Sequence, residues 1–144
     1  MTIASVTTDI NFGPFKIPSN AQNMIMNNYA QRNKLSVEIV IPEPILSDQL
    51  ATTIWLHKEF NFKKIILCSI HQLPQKKNHL NSLMNKMKDV EFFFAIEGLK
   101  GRGNNFLKKV SKESKIFQNC NMINSNNTSW SKLYKNFKKT YKAK

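Results

Sequence analysis

Two stretches that are almost entirely apolar constrain most tightly what this chain can fold into. They are Lys64–Ile70 and Val90–Ile96, and their apolar residues follow one another without alternating with polar ones. A half-exposed strand alternates, whereas a strand covered on both faces is a continuous apolar run. Ile3–Thr7 and Val37–Ile41 supply two further strand candidates. The sequence therefore predicts a parallel sheet with helices on both faces.

Helical patterns lie between the four strand candidates. Ser19 to Gln22 matches a capping box and predicts the start of the first helix. Four apolar residues at helical spacing are expected to face the sheet: Ile25, Met26, Tyr29 and Ala30. A second helix is expected from Ser47 to Phe60, and a third after Pro74. This order predicts a three-layer α/β fold in which right-handed crossovers join a mostly parallel, four-stranded sheet.

The chain becomes strongly basic after the fourth strand. Residues 101–144 hold eleven basic side chains and one acidic one, whereas residues 1–60 have a net charge of −1. A helix is expected up to about residue 118, followed by a polar linker and a basic helix. One face of that last helix is an aromatic stripe: Trp130, Leu133, Tyr134, Phe137 and Tyr141. We therefore predict one α/β domain over residues 1–118, and a linker with a basic amphipathic helix over residues 119–144.

That aromatic stripe has three interpretations. It docks on the domain as a last helix, it binds a partner chain, or it lies on an anionic membrane surface. The basic surplus does not by itself indicate a nucleic-acid partner, because 20 of the 22 basic residues are Lys. Arg is the residue that pairs bidentately with phosphates and guanine. Eighteen Asn accompany the lysines, a combination that AT-rich coding DNA also produces.

Cysteine content and hydropathy set the expected location. Two cysteines, Cys68 and Cys120, form no disulfide framework and favour a reducing, cytoplasmic setting. No apolar run approaches the roughly 18–20 residues that a membrane span needs. The three His and two Cys lack the spacing of a metal site, so neither a metal nor another cofactor is expected.

Polar side chains follow the strand candidates where each is expected to end. The carboxyl ends of parallel strands meet at one edge of a sheet, which is where ligands usually bind. We expect seven side chains to converge there: Thr7, Thr8, Glu43, Ser69, His71, Gln72 and Glu97. Glu43, Ser69 and Glu97 are the candidate catalytic residues, and the others are candidate ligand-binding residues for a small polar molecule. The alternative for each is an ordinary turn cap or a hydrogen-bonded surface residue.

A glycine-rich stretch follows the fourth strand candidate. Gly98–Gly103 has the sequence GLKGRG and directly precedes a helical pattern. Backbone N–H groups in such a position can hold a phosphate, with Arg102 assisting. The alternative is a plain flexible turn, because the spacing is neither that of a dinucleotide-binding loop nor that of a P-loop.

Parts of the first hundred residues resemble the small bacterial "sporadic carbohydrate cluster" proteins. The resemblance is carried by IPSNAQNMIMNNYAQRNKL, PEPILSDQL, CSIHQLP and FFFAIEGLKG. Ten positions match the pattern of that family: Pro18, Gln22, Asn23, Glu43, Ser69, Gln72, Leu73, Pro74, Glu97 and Gly98. The resemblance implies a cytoplasmic protein of surface-polysaccharide or lipopolysaccharide synthesis that binds or modifies a sugar, a sugar phosphate or a nucleotide sugar. It also adds Gln22 and Asn23 to the candidate ligand-binding residues.

The layout is also similar to the catalytic domain of serine recombinases. Val6-Thr7-Thr8 corresponds to that family's Val-Ser-Thr, which puts Thr7 at the nucleophile position. Gln72 and Gln75 stand where the family has arginines that stabilise the phosphoryl transition state. The resemblance implies a flavodoxin- or resolvase-like fold without strand exchange. The alternative function is thus an inactive binding module whose basic tail holds DNA or an anionic membrane surface, and a homo-oligomer stays open.

Overall fold

The computed structural model describes residues 2–9, 11–12, 15–44 and 49–126. In chain order the elements are β1 (Ile3–Thr8), β2 (Asn11–Phe12), β3 (Phe15–Lys16), α1 (Ser19–Arg32), β4 (Ile39–Glu43), α2 (Ala51–Phe60), β5 (Lys64–Leu67), a single 3₁₀ turn (Ile70–Gln72), α3 (Lys77–Lys86), β6 (Glu91–Phe94), β7 (Leu99–Arg102) and α4 (Asn104–Asn126). Within these residues, five strands form one sheet in the order β4-β1-β5-β6-β7. The first four run parallel, and β7 runs antiparallel to β6. The predicted three-layer, mostly parallel α/β fold is confirmed, with one strand more than expected.

Two apolar clusters hold the layers together, one on each face of the sheet. Residues from α2, α3 and α4 pack on one face, including Ile54, Leu83 and Leu107. On the other face, Met26 and Ala30 of α1 pack against strand residues. Ile25 and Tyr29 pack there as partly buried neighbours, so the predicted sheet-facing side of α1 is correct. Each fully buried large aliphatic or aromatic side chain contributes about 1.5–3 kcal/mol to folding by leaving water.

The glycine-rich stretch forms strand β7, which corrects its interpretation as a loop. Gly98 has a φ of 66° and turns the chain, so that β7 folds back on β6. Lys100 and Arg102 are exposed and alternate with partly buried positions, as expected of an edge strand. A Cβ on Gly101 would lie 2.6 Å from Cδ2 of Phe106, so this position needs glycine for the approach of α4. A four-residue edge strand that contains a glycine has too little hydrophobic alternation for the sequence to predict it as a strand.

The helix boundaries differ from those expected. The capping box at Ser19 does not form. Ser19 is the first residue of α1, the N-cap position is Pro18, and no side chain there accepts a hydrogen bond from the helix. Ser47, where the second helix was expected to begin, lies outside the described residues, and α2 begins at Ala51. The third helix begins at Lys77, three residues after Pro74.

The last described helix reaches further than expected. Helix α4 continues to Asn126, so its last residues occupy the start of the segment predicted as a linker. The aromatic stripe from Trp130 to Tyr141 lies outside the described residues. A separate basic helix over that segment stays a prediction.

Candidate functional site

Gln72 ties together the carboxyl ends of β1 and β5. Its side-chain oxygen accepts from the backbone N–H of Ser69 at 3.1 Å. Its amide nitrogen donates to the carbonyl of Val6 and to Oγ1 of Thr8, both at 3.1 Å. Ser69 in turn accepts from the N–H of His71, which completes a capping box on the 3₁₀ turn. With 2% of its surface exposed, Gln72 holds the turn in place rather than facing solvent.

Gln22 makes the equivalent connection from α1. Its side-chain oxygen accepts from the backbone N–H of Thr8 at 2.9 Å, and its nitrogen donates to the carbonyls of Thr8 and Ile17. The buried amide thereby fixes the end of β1 to the start of α1. Asn23 follows it on α1 and is partly exposed. The structure therefore brings Thr8, Gln22, Ser69 and Gln72 to one edge of the sheet. Strand direction predicts this position for Thr8, Ser69 and Gln72, whereas Gln22 is a candidate through the family resemblance alone.

Glu97 joins this edge from the end of β6. Its Oε1 accepts from the hydroxyl of Ser69 at 2.6 Å, and its Oε2 accepts from the backbone N–H of Ile70 at 3.2 Å. An ionised carboxylate offers about four acceptor positions, so two are left for a ligand. Thr8, Gln22, Ser69, Gln72 and Glu97 are called the strand-end cluster below.

A pocket of about 360 Å³ opens beside the strand-end cluster. Its lining is mostly apolar with a few polar groups, and it is called the strand-end pocket: Ile17, Ser69, Ile70, His71, Ile96, Glu97, Glu113 and Phe117. A volume of this size falls in the usual range for small-molecule sites. Glu113 and Phe117 come from α4, and sequence reasoning missed both. Only the return of α4 over the sheet places them here, and nothing in their local sequence distinguishes them.

His71 connects the strand-end pocket to α4. Its Nδ1 lies 2.8 Å from the hydroxyl of Ser114, and its ring lies 5.4 Å from that of Phe117, centroid to centroid. Burial lowers the pKa of His71, and the nearby Glu97 carboxylate partly opposes that shift. The imidazole therefore stays neutral at neutral pH. Since Nδ1 contacts Ser114, Nε2 is the ring nitrogen that can accept or donate a further hydrogen bond, depending on the tautomer.

The Cys68 thiol lies just below this edge, at the end of β5. It is fully buried. Burial raises the pKa of that thiol to about 11, and the charge of Glu97 acts in the same direction. A thiol held protonated in this way is a poor nucleophile, so it carries no chemistry at this site.

Glu43 lies at the end of β4, but its carboxylate accepts hydrogen bonds from the start of α2. Its Oε1 accepts from both the backbone N–H and the hydroxyl of Thr53, each at 2.6 Å. Thr53 lies in the first turn of α2, where backbone N–H groups lack helical partners and the helix dipole favours negative charge. Glu43 is 5% exposed and acts as the cap that α2 lacks in its own sequence. Its predicted catalytic role stays a prediction.

The remaining two candidates are not part of the strand-end cluster. Thr7 directly precedes Thr8 near the carboxyl end of β1 and is only 5% exposed. Arg102 lies on β7 opposite Glu91, the first residue of β6, and pairs with its carboxylate at 3.5 Å. Since Glu91 begins a parallel strand, this pair sits at the amino-terminal edge of the sheet, opposite the strand-end cluster. Arg102 therefore does not join the predicted site.

Within the described part of the chain, no three His, Cys, Asp or Glu side chains lie close enough together to hold a metal ion. No helix among the described residues is both long enough and apolar enough to span a membrane.

Solved structures show what this arrangement resembles. No protein-family model matches the sequence, and no curated protein matches it. Similar solved structures include the N-terminal catalytic domain of TP901-1 integrase, with 14% identity and a TM-score of 0.59 over 83% of this chain and 98% of that one. A resolvase family site-specific recombinase from Streptococcus pneumoniae has 12% identity and a TM-score of 0.55, over 93% of this chain and 99% of that one. The fold is resolvase-like.

At such identities the likeness establishes the resolvase-like fold and nothing further. It confirms the fold implied by the similarity to serine recombinases. The comparisons give no support for the resemblance to the sporadic carbohydrate cluster proteins.

Proposed function

We propose that this resolvase-like protein binds a small neutral sugar in the strand-end pocket. The observation that carries the proposal is one carboxylate, Glu97, fixed at the edge of a mostly apolar pocket with free acceptor positions. Sugars present both hydroxyl groups and apolar C–H faces, so a pocket that binds them needs both kinds of surface. Carboxylates accept strongly from hydroxyl groups because the bonds are charge-assisted.

The polar half of the pocket is held ready before a ligand arrives. Ser69 and the N–H of Ile70 orient the Glu97 carboxylate, and Gln72 holds the turn that carries both. Binding to a carboxylate that is already fixed costs little side-chain entropy. His71 adds one further hydrogen-bonding nitrogen at the same pocket.

The apolar half of the pocket fits the ring face of a sugar. Phe117 is 46% exposed, and its ring lies against that of His71. Ile17 and Ile96 complete this apolar surface. Exposed aromatic faces beside a few fixed polar groups are typical of small-molecule sites.

The charge of the pocket narrows the choice of sugar. Two of the residues that line it, Glu97 and Glu113, are acidic, and none of its lining residues in the described part of the chain is Lys or Arg. A phosphate would meet two like charges at short range, which disfavours binding. A neutral sugar is therefore favoured over a sugar phosphate or a nucleotide sugar.

The setting of this activity, surface-carbohydrate synthesis in the cytoplasm, is part of the same proposal. It is motivated by the family resemblance, several of whose matched positions fall in the strand-end cluster: Gln22, Ser69, Gln72 and Glu97. The two-cysteine content favours the reducing location. Glu97 and Ser69 are the candidates for any acid–base step on the bound sugar.

Isothermal titration of the full chain with neutral monosaccharides, and with their phosphates, tests the proposal. We expect at least one neutral sugar to bind, and Glu97→Gln and Phe117→Ala each to weaken it roughly tenfold or more. Glu59→Gln and Phe60→Ala, exposed residues of α2 outside the pocket, are the matched controls. Circular dichroism verifies that each variant is folded. The absence of binding by every sugar, or equal affinity in Glu97→Gln, would reject the proposal.

A second candidate function is a non-catalytic DNA-binding module. The resolvase-like fold favours it, since both solved relatives are described as recombinase or integrase proteins. The nucleophile position holds the buried Thr7, and Gln72 replaces an arginine, so strand exchange is not proposed. The basic residues of the C-terminal segment would supply the phosphate contacts.

Fluorescence anisotropy of the full chain with duplex DNA across a salt series tests that candidate. Each phosphate contact contributes about 0.9 to the slope of log affinity against log salt. Replacing Lys138, Lys139 and Lys142 with Gln is expected to lower the slope by up to about 2.7. Vesicles of anionic lipid, titrated in parallel, show whether the segment prefers a membrane surface instead. The candidate is rejected if duplex DNA does not bind at low salt.

A further inference from the structure

A second concave surface lies between α2 and α3, away from the strand-end pocket. It encloses about 250 Å³, and its lining includes Gln49, Trp55, Lys58, His79, Ser82 and Lys86. We call it the interhelix groove. None of the described residues that line it is acidic, in contrast to the strand-end pocket.

The two helices run side by side in the same direction along this groove. Gln49 precedes α2 and His79 lies in the first turn of α3, and the Gln49 amide nitrogen is 3.1 Å from Nε2 of His79. Lys58 and Lys86 lie in the last turns of the same two helices. The seven residue steps from His79 to Lys86 cover about 10 Å along the helix axis. The groove is therefore closed by a polar contact at one end and has two cations at the other.

Trp55 supplies a broad aromatic face in the middle of the groove. It is 60% exposed, although an indole usually contributes far more to stability when it is buried. Lys58 follows it by three residues, and residues at this spacing are neighbours on a helix surface. On the facing helix, His79, Ser82 and Lys86 share one stripe by the same rule. The groove thus places an aromatic platform next to two positive charges.

We propose that the interhelix groove binds a nucleoside monophosphate unit, with its base stacked on Trp55 and its phosphate between Lys58 and Lys86. A phosphate monoester carries about −1.5 to −2 charges at neutral pH, which two lysines can balance, since none of the described lining residues is acidic. Ser82 and Gln49 supply hydrogen-bonding groups for the edge of a base or for a ribose. The proposal does not depend on sugar binding in the strand-end pocket.

The volume and charge set this ligand apart from other occupants. A stable protein interface involves roughly 20–30 residues on each partner, far more than the eight described residues that line this groove. An uncharged aromatic molecule would not use the lysines, and an inorganic anion would not use the indole. A unit that combines a planar ring with a phosphate uses all of the surface, whether it is a free nucleotide or part of a single strand.

Titration calorimetry of the full chain at low ionic strength, with AMP, adenosine and inorganic phosphate as probes, tests the proposal. We expect AMP to bind at least tenfold more tightly than either of its parts. Trp55→Ala is expected to weaken AMP binding about 5- to 150-fold, the range typical of base–aromatic stacking. Lys58→Gln with Lys86→Gln is expected to weaken it roughly 4- to 25-fold and to reduce its salt dependence.

Matched controls separate these effects from general ones. Phe60→Ala removes an aromatic ring that is 56% exposed on the same helix but does not line the groove. Lys108→Gln with Lys112→Gln removes two exposed charges from α4. Both controls are expected to bind AMP as the unaltered chain does. A short single-stranded oligodeoxyadenylate identifies the source, since tighter binding than AMP through the same three residues indicates a strand and weaker binding indicates a free nucleotide.

Three outcomes would overturn the proposal. They are no AMP binding at millimolar concentration, equal affinity for inorganic phosphate and AMP, and unchanged AMP affinity in folded Trp55→Ala.

Discussion

The side chain of Gln72 donates a hydrogen bond to the backbone carbonyl of Val6 at 3.1 Å, across 66 residues of sequence. This bond joins the turn after β5 to a residue within β1, the strand that pairs with β5. The same amide also accepts a hydrogen bond from the backbone N–H of Ser69 and donates one to the hydroxyl oxygen of Thr8. One buried side chain thus sets the relative position of the two strands whose ends form the candidate site.

Replacing Gln72 with Leu is expected to lower the free energy of unfolding by about 2–5 kcal/mol. The variant keeps the approximate size of the side chain but leaves the N–H of Ser69, the carbonyl of Val6 and the hydroxyl of Thr8 without their partner. Urea denaturation measures the loss. Gln31→Leu, at an exposed position of α1, is the control and is expected to change stability by less than about 0.5 kcal/mol. A loss below about 1 kcal/mol for Gln72→Leu would show that the network is not stabilising.

The layered fold could be predicted because its signal is local. The runs Lys64–Ile70 and Val90–Ile96 are almost entirely apolar, which is typical of strands in a parallel sheet covered on both faces. Strand β7 could not be predicted because its pairing with β6 depends on a turn at Gly98 and on the edge position, not on an apolar run. The first residue of α2 could not be predicted because the side chain that caps this helix is Glu43, which lies on β4.

The candidate site could be predicted only in part. The topology rule placed Ser69, Gln72 and Glu97 at one edge correctly, because it depends only on strand direction. The rule does not separate residues that face a ligand from residues that hold the backbone. Gln72 follows a strand and Glu43 ends one, yet the Gln72 amide and one oxygen of the Glu43 carboxylate are used in internal hydrogen bonds. Phe117 belongs to the pocket through tertiary packing alone.

Replacing Glu43 with Ala is expected to destabilise the protein by about 2–4 kcal/mol, and Glu43→Gln by less. The carboxylate is buried and holds two groups of Thr53 at the start of α2, so its removal leaves a helix N-terminus without a cap. A double-mutant cycle with Thr53→Val, followed by chemical denaturation, isolates the side-chain bond. Glu38→Ala, exposed just before β4, serves as the control. Additive losses in the cycle would contradict a direct Glu43–Thr53 interaction.

Replacing Gly101 with Ala is expected to cost about 1–3 kcal/mol through overpacking against Phe106. The new Cβ would lie 2.6 Å from the ring, which itself packs against Phe94. Combining the change with Phe106→Leu is expected to recover part of the loss, because the smaller side chain leaves room. Gly103→Ala tests the alternative cause, since that glycine has a φ of 88° with open space around it. Thermal denaturation that shows no recovery in the double variant would place the strain in the backbone instead.

The stability of the fold is expected to fall as the pH drops through the usual range of histidine titration. Burial lowers the pKa of His71 and also that of His57, so the unfolded chain binds protons at a pH where the folded chain does not. The stabilisation is therefore present above a pH of about 6.5 and is lost progressively below it. Melting temperatures measured from pH 8 to pH 5 record the decline. His71→Asn, which keeps a polar atom towards Ser114, is expected to reduce the slope but not to abolish it, because His57 remains. A slope that is unchanged in His71→Asn would show that protonation of His71 is not coupled to folding.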